Sequence, residues 1–382
     1  MDRRDFLRTT GVAGAALTTG FGRSLLSPRL GGVTPAEQTG AMPTIWKPTA
    51  LGPAMSHTTI PSDPNTLRGH TTLMFVRDKL GNAAIDNWYL WQWTHDTSRT
   101  YLYSAPKATG PFTARGFGNA PTPYPANYLV NHFSSGDIVW EPERRVFISS
   151  PHGVRLPPVP GNAEVSQDSF LTSSPDGLNW SWLDGDSRPR LICGPPKSVD
   201  SVHTGYGRLL RDLDGHIATQ ASQYWWIYRA QRNDGGNPIH AIHPFVDAVG
   251  TTYTPMLAST DDLTQTFDRK RQAYPGVTLN TGLISFGSFV RTNKQQHVFM
   301  VQALPDPPIA PAKTLHYVSK GNSMNFGLPQ PVVQIVNAKG AIIEENNIAR
   351  DPETGKIYNC HVQGSLDANA NALIETWIYE GA

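Results

Sequence analysis

The stretch His132-Phe-Ser-Ser-Gly-Asp-Ile-Val-Trp140, Glu141-Pro-Glu-Arg-Arg145, Val146-Phe-Ile-Ser-Ser150 reads as a strand, a charged turn and a second strand. Branched and aromatic side chains fill the two arms, and Pro142, which has no amide hydrogen to give a ladder, marks the break between them. After a loop come Ser169-Phe-Leu-Thr-Ser-Ser174, the turn Pro175-Asp-Gly177 and Trp180-Ser-Trp182. Asp-Gly supplies the left-handed backbone that a tight hairpin requires. The whole is four short strands folding back on one another.

The phrase recurs on both sides. Upstream stand Thr71-Thr-Leu-Met-Phe-Val76, Trp88-Tyr-Leu-Trp-Gln-Trp93, Thr100-Tyr-Leu-Tyr-Ser104 and Gly110-Pro-Phe112. Downstream, a third copy runs through Tyr206-Gly-Arg-Leu-Leu-Arg211, His216-Ile-Ala-Thr219 and Met256-Leu-Ala-Ser-Thr260. A fourth runs through Gly287-Ser-Phe-Val-Arg291, Gln296-His-Val-Phe-Met-Val301 and Leu315-His-Tyr-Val-Ser319. The last has Asn347-Ile-Ala-Arg350, Lys356-Ile-Tyr358 and Ile374-Glu-Thr-Trp-Ile-Tyr379. Five copies, spaced about 60 to 70 residues apart, predict an all-β chain: a five-bladed β-propeller with four antiparallel strands per blade, over residues 41–382. A β-sandwich also yields short strands, but nothing in it requires a turn and an aromatic to repeat in phase.

Lys and Arg number 32 against 31 Asp and Glu, a balance that disfavours nucleic acid as a partner. Ten Trp and thirteen Tyr suit clefts that stack ring-shaped ligands such as sugars.

The chain opens Met1-Asp-Arg-Arg-Asp-Phe-Leu-Arg8, and paired arginines before Phe-Leu resemble a twin-arginine export signal. The segment from Thr9 to Leu26 is rich in Gly, Ala and Thr and interrupted by Arg23, which makes it a poor membrane span, so no stable membrane anchor is expected. Residues 1–40 are read as signal and linker, with the twin-arginine translocase as the partner during export and a periplasmic or extracellular destination. Cys193 and Cys360 are compatible with a disulfide or with two buried thiols.

In a propeller the first strand of each blade lines the channel and successive strands alternate direction, so the start of strand one and the end of strand two share a face. Aligned in this way, His70, His132 and His203 begin the first strands of blades one to three. Ser285 holds that phase in blade four, and Glu344 and Glu345 hold it in blade five. His95, His152 and His361 end second strands. Such imidazoles bind hydroxyls, carry protons near neutral pH or hold a metal, though each alone is equally a packing residue. Three imidazoles with Glu345 would suit a transition metal, but no local motif such as His-Glu-x-x-His is present, so no metal site and no cofactor is assigned.

Glycosidic cleavage needs one group to protonate the leaving oxygen and another to activate water or attack directly. Asp63, Asp137, Asp200, Glu344 and Glu345 fall on the same face. Asp137 lies inside a channel-lining strand, where a carboxylate must be paired or reached by water. Asp176, Asp212, Asp214 and Asp351 lie in hairpin turns and serve the backbone.

Ser104-Ala-Pro-Lys-Ala-Thr-Gly-Pro-Phe112, Ser173-Ser-Pro-Asp-Gly-Leu-Asn-Trp180 and the run from His132 through Ser150-Pro-His-Gly153 resemble phrases of the five-bladed propeller glycosidases, the superfamily of arabinanases, xylosidases, invertases and neoagarobiose hydrolases. That resemblance implies Asp63 as general base, Asp137 or Asp200 as a tuning carboxylate and Glu344 or Glu345 as acid. It also implies a middle-blade Glu, where Ser285 stands, so that His132, His152 or His203 would replace a carboxylate as proton donor.

The resulting expectation is an exported carbohydrate-active hydrolase working at the channel mouth. Asp63, Asp137, Glu345 and His132 are its catalytic candidates. His70, His152, His203, Asp200, Glu344 and Trp140 are its substrate contacts, with Trp91 a further stacking platform. A non-catalytic sugar-binding propeller and a metal-dependent enzyme built on the histidines are the alternatives.

Overall fold

The computed structural model describes residues 45–49, 55–56, 68–94, 97–134, 136–156, 167–195, 198–201, 203–230, 254–273, 284–293, 296–303, 313–319, 323–326, 334–335, 341–366 and 372–381. Among them the fold is all-β, with six sheets and one four-residue α-helix, Arg77–Leu80.

Five sheets follow one another in sequence. The first joins Arg68–Phe75, Trp88–Thr94, Arg99–Ala105 and Thr113–Asn119 in that order, all antiparallel. The second joins Ile138–Glu141, Val146–Ser149, Thr172–Ser174 and Ser181–Trp182. Arg208–Leu209, Gln223–Ala230, Thr254–Thr260 and Arg269–Gln272 make the third. The fourth is Ile284–Asn293, Gln296–Ala303 and Lys313–Val318, with Arg211–Asp212 parallel to the first of these. The fifth is Ala341–Arg350, Ile357–Leu366 and Ala372–Gly381, completed by Ile45–Pro48, the first of the described segments.

Alternation along each strand sends successive side chains to opposite faces, and here both faces are apolar. In the first sheet Leu73, Trp88 and Leu90 point one way and pack on Tyr358, Cys360 and Ile378 of the fifth. Met74, Tyr89 and Trp91 point the other way and pack on Ile138, Trp140 and Phe147 of the second. The second meets the third through Val139, Ile148 and Leu171 against Leu209, Trp226 and Tyr228. The third meets the fourth through Ile227 and Leu257 against Phe289. The fourth returns to the fifth through Val290 and Val298 against Ile348 and Trp377. The cycle of contacts closes on itself.

The sixth sheet departs from the repeat. Tyr128–Ser134, His152–Arg155 and Gln167–Ser169 form a three-stranded sheet with His152–Arg155 in the middle. The repeat predicts one continuous first strand in the second unit, from His132 to Trp140. In the structure that strand is interrupted around Gly136, and only Ile138–Glu141 belongs to the unit. Gly136 is needed at the interruption, because a Cβ there would lie 2.6 Å from Ser149 Oγ and 2.9 Å from the Trp93 ring. Arg155 fastens the small sheet by donating to both oxygens of Asp168 at 2.7 and 2.8 Å, and the amide of Cys193 donates to the same carboxylate at 2.7 Å.

The third copy also differs from its expected form. Its expected second strand, His216–Thr219, is only a short edge piece at Thr219–Gln220, and the long strand is Gln223–Ala230. Tyr206–Arg211 divides between two sheets, Arg208–Leu209 joining the third and Arg211–Asp212 the fourth. Both cysteines are free thiols.

Candidate functional site

Histidines from three segments meet around one tyrosine, and a fourth, His132, adjoins one of them. His70 stands in Arg68–Phe75 beside a register shift between Gly69 and Thr71, with φ of 55°. Tyr206 also has a left-handed backbone, φ of 57°, and its ring centroid lies 5.3 Å from that of His70. Left-handed conformations are strained for such residues and gather at working sites, where surrounding structure holds them. His152, the first residue of the middle strand of the small sheet, lies 4.7 Å from Tyr206 and 5.4 Å from His132. His203 is stacked on Tyr206 with centroids 5.6 Å apart and planes inclined by 8°. Arg229, near the end of Gln223–Ala230, places its guanidinium 4.2 Å from the centre of the Tyr206 ring, a cation over an aromatic face.

The small sheet explains how the sequence delivers these rings. His152 pairs with Ser134 on one side and Ser169 on the other, which brings the strand carrying His132 alongside. A bridge from Gln167 to His203 then ties the next segment to the same edge. Gly205 leaves room for the rings: a Cβ there would lie 2.6 Å from Gln167 Oε1, 2.9 Å from His203 Cε1 and 3.2 Å from His152 Cγ. Gln167 Oε1 is buried and has no hydrogen-bond donor among the described residues. His132 is half-buried, whereas His70, His152 and His203 are buried and Tyr206 is 7% exposed.

Asp137 lies at a second centre. Its Oδ1 accepts from Thr72 Oγ1 at 3.2 Å, from the amide of Ile138 at 3.0 Å and from Asn347 Nδ2 at 3.4 Å. Oδ2 faces Arg211 Nε at 3.9 Å. Arg211 in turn donates to Ser288 Oγ at 3.1 Å and to the Ile348 carbonyl at 2.6 Å. Burial depresses the Arg211 guanidinium, opposed by the negative charges of Asp137 and Asp212.

Of the expected site residues, the structure therefore brings together His70, His132, His152 and His203. Asp200 is engaged elsewhere: Lys270 Nζ and Tyr228 Oη donate to its Oδ2 at 2.6 and 3.0 Å, and Ser198 Oγ to its Oδ1 at 2.9 Å, which fastens a loop to the third sheet. Trp140 is not a platform. It is buried in the packing between the first two sheets, its ring 4.9 Å from Phe147. Trp91 is likewise buried, with Nε1 donating to the Gly177 carbonyl at 2.9 Å. Asp63 and His95 lie outside the described residues, as do the side chains of Glu344, Glu345 and His361, whose backbones run in Ala341–Arg350 and Ile357–Leu366. Sequence reasoning does not single out Tyr206, Arg229 or Gln167. The segment His203-Thr-Gly-Tyr-Gly207 carries a signal in its closely spaced glycines.

Among the described residues the one group of potential metal ligands whose atoms all lie within 4.8 Å is Asp212, Asp214 and His216, which includes none of the four clustered histidines. Its members have other work: Arg350 donates to both oxygens of Asp214, at 2.8 and 2.5 Å, and the amide of His216 donates to Asp212 at 2.9 Å. No described helix is long and apolar enough to cross a membrane.

Residues 1–20 match the TAT (twin-arginine translocation) pathway signal sequence, which directs the protein out of the cytoplasm. No curated protein matches the sequence. Among solved structures, a glycoside hydrolase is 12% identical with a TM-score of 0.55, covering 89% of this chain and 92% of that one. Zg3597, a family 117 glycoside hydrolase of the marine bacterium Zobellia galactanivorans, is 14% identical with a TM-score of 0.51, covering 87% and 90%. An N-acetylgalactosamine deacetylase from F. plautii in complex with blood group B trisaccharide is 10% identical with a TM-score of 0.50, covering 82% and 89%. The fold is that of β-propeller proteins, with glycoside hydrolases among the structural neighbours.

Proposed function

We propose that the protein is an exported glycoside hydrolase on a five-bladed β-propeller spanning residues 41–382, working at the mouth where His70, His152 and His203 surround Tyr206 and His132 adjoins His152. That convergence from separate segments carries the reading. Imidazole and phenol groups accept and donate to sugar hydroxyls and transfer protons near neutral pH. The likeness to glycoside hydrolases and the export signal agree with it.

In this reading a proton passes to the glycosidic oxygen as the bond from that oxygen to the anomeric carbon breaks, and water, losing a proton to a base, completes the sugar. His132 and His152, whose rings lie 5.4 Å apart, are the acid candidates, with Glu345 the alternative acid and Asp63 the base. Asp137 holds the inner strands together beside the mouth, because Oδ1 already accepts from three donors and Oδ2 faces Arg211. The substrate is a plant, algal or cell-envelope oligosaccharide, met in the periplasm or outside the cell after passage through the translocase.

The test is a panel of polysaccharides and aryl glycosides offered to the mature protein and to its His152→Ala variant. New reducing ends from the wild type, and a large loss in the variant, are expected. Calorimetric binding of an oligosaccharide with no product from any substrate would replace hydrolysis by sugar binding.

A further inference from the structure

The repeat predicts His203 as a substrate contact or proton donor, but the contacts of its ring nitrogens favour one protonation state. Nε2 lies 3.2 Å from Arg229 Nη2, and Nδ1 lies 2.9 Å from the Arg229 carbonyl oxygen and 3.0 Å from the Gly205 amide. A guanidinium has protons to donate and no lone pair to accept with. Nε2 must therefore be the acceptor, and it carries no proton.

The three possible forms of the ring can be compared on these contacts. A proton on Nδ1 alone satisfies two of them, since Nδ1 donates to the Arg229 carbonyl while Nε2 accepts from the guanidinium, and leaves the Gly205 N–H facing Nδ1–H. A proton on Nε2 alone satisfies only the Gly205 amide and sets two N–H groups against each other. The imidazolium keeps the carbonyl contact and brings two cations to 3.2 Å. We propose that Arg229 locks His203 as the neutral Nδ1–H imidazole, which makes it a positioning residue for Tyr206 and leaves proton transfer to the other members of the cluster.

The groups around His203 support the lock. Arg229 faces it from Gln223–Ala230 and also lies over the Tyr206 ring, so a single guanidinium sets both rings. Tyr206 stacks on it from its own segment, and His152 stands 6.4 Å away on the small sheet. The neighbouring strand contributes Gln167, an uncharged amide, and Asp168, whose oxygens receive Arg155, the Cys193 amide and Tyr128. The consequence for catalysis rests on the mouth being the working site, whereas the lock itself does not.

The experiment is long-range 1H–15N correlation of the imidazoles in 15N-histidine-labelled mature protein, with His203 assigned by its loss in His203→Gln. From about pH 8 to pH 5, where an ordinary histidine gains its charge, the His203 ring should hold one protonated nitrogen, Nδ1, and one bare nitrogen, Nε2. In Arg229→Gln the same ring should titrate or exchange tautomers. Imidazolium shifts for His203 by about pH 6 in the wild type, or a proton on Nε2, would overturn the proposal. The wild-type titration decides even if the Arg229 variant does not fold. A glycosidase screen that finds no substrate leaves the spectrum readable, so failure of the lock and failure of the hydrolase reading are distinguished.

Discussion

Asp137 and Arg211 face each other where the inner strands meet, Oδ2 to Nε 3.9 Å apart, both buried. Through Thr72, Ser288, Asn347 and the Ile348 carbonyl they reach the first, fourth and fifth sheets, and Arg211 continues directly from the third. A buried ion pair gains little over an apolar pair of the same shape, but removal of one partner strands the other charge in a medium that solvates it poorly. Arg211→Met is therefore expected to destabilise by about 3–5 kcal/mol. Asp137→Asn with Arg211→Met should lose less than the sum of the two single changes. Urea midpoints of the four proteins test this, and strict additivity would contradict the pairing.

Gly205→Ala should disturb the mouth more than the fold. The added methyl meets Gln167 Oε1 at 2.6 Å and His203 Cε1 at 2.9 Å, so the rings must move by tenths of an ångström. Overpacking of this kind costs about 1–3 kcal/mol. The expected result is that modest thermal shift, together with altered 15N shifts of the His203 and His152 rings. Unchanged ring signals would show that the close approach is not real.

Acid should weaken the fold through carboxylates that the turns hold ionised. Burial would raise Asp176, but the amides of Asn179 and Leu178 and the side chains of Asn179 and Ser174 outweigh it and hold Asp176 below the ordinary carboxylate value. Asp212 is lowered in the same way, burial being outweighed by His216 and Lys79. Because the folded value lies below the unfolded one, near 3.9 for an aspartate, the unfolded state takes up more protons as pH falls. The stabilisation is complete above about pH 5 and is lost as pH falls through the folded value. Melting temperature measured from about pH 6 down to pH 3 should drop, less steeply in Asp176→Asn.

Cys360 should be inert while the protein is folded. Burial pushes its thiol up to about 12, only partly countered by the hydrogen bond with Thr71, 3.4 Å from Sγ to Oγ1. A thiol reagent should modify Cys360 no faster than the protein unfolds. Unfolding without reductant should expose two free thiols, since Cys193 and Cys360 are unpaired.

Much of this was legible in the sequence because repeats are periodic and sheets obey parity. The first turns, such as Glu141-Pro-Glu-Arg-Arg145 and Asp212-Leu-Asp-Gly215, set the phase, and from that phase His70, His132, His152 and His203 fall on one face. The same alternation could not tell a channel aromatic from one packed between sheets. Trp140 and Trp91 point into the packing of the first two sheets, and both faces of their strands are equally apolar. Nor does any local signal show that Ile45–Pro48 completes the fifth sheet, a pairing with Ala372–Gly381 across most of the sequence. Tyr206 and Arg229 escape the sequence reading for a different reason: they meet where Arg208–Leu209 pairs with Gln223–Ala230, whereas the repeat places the second strand at His216–Thr219, and only the glycines flanking Tyr206 hint at close approach.

The most direct test of the hydrolase reading is product release by the mature protein on the oligosaccharide panel, compared with Tyr206→Phe, a change that keeps the ring stacked on His203 and removes only its hydroxyl. The expected result is cleavage of at least one substrate by the wild type and a loss of kcat of about 100-fold or more in the variant, at a melting temperature close to wild type. Equal rates for the two proteins, or no product from any substrate, would contradict a hydrolytic site centred on Tyr206.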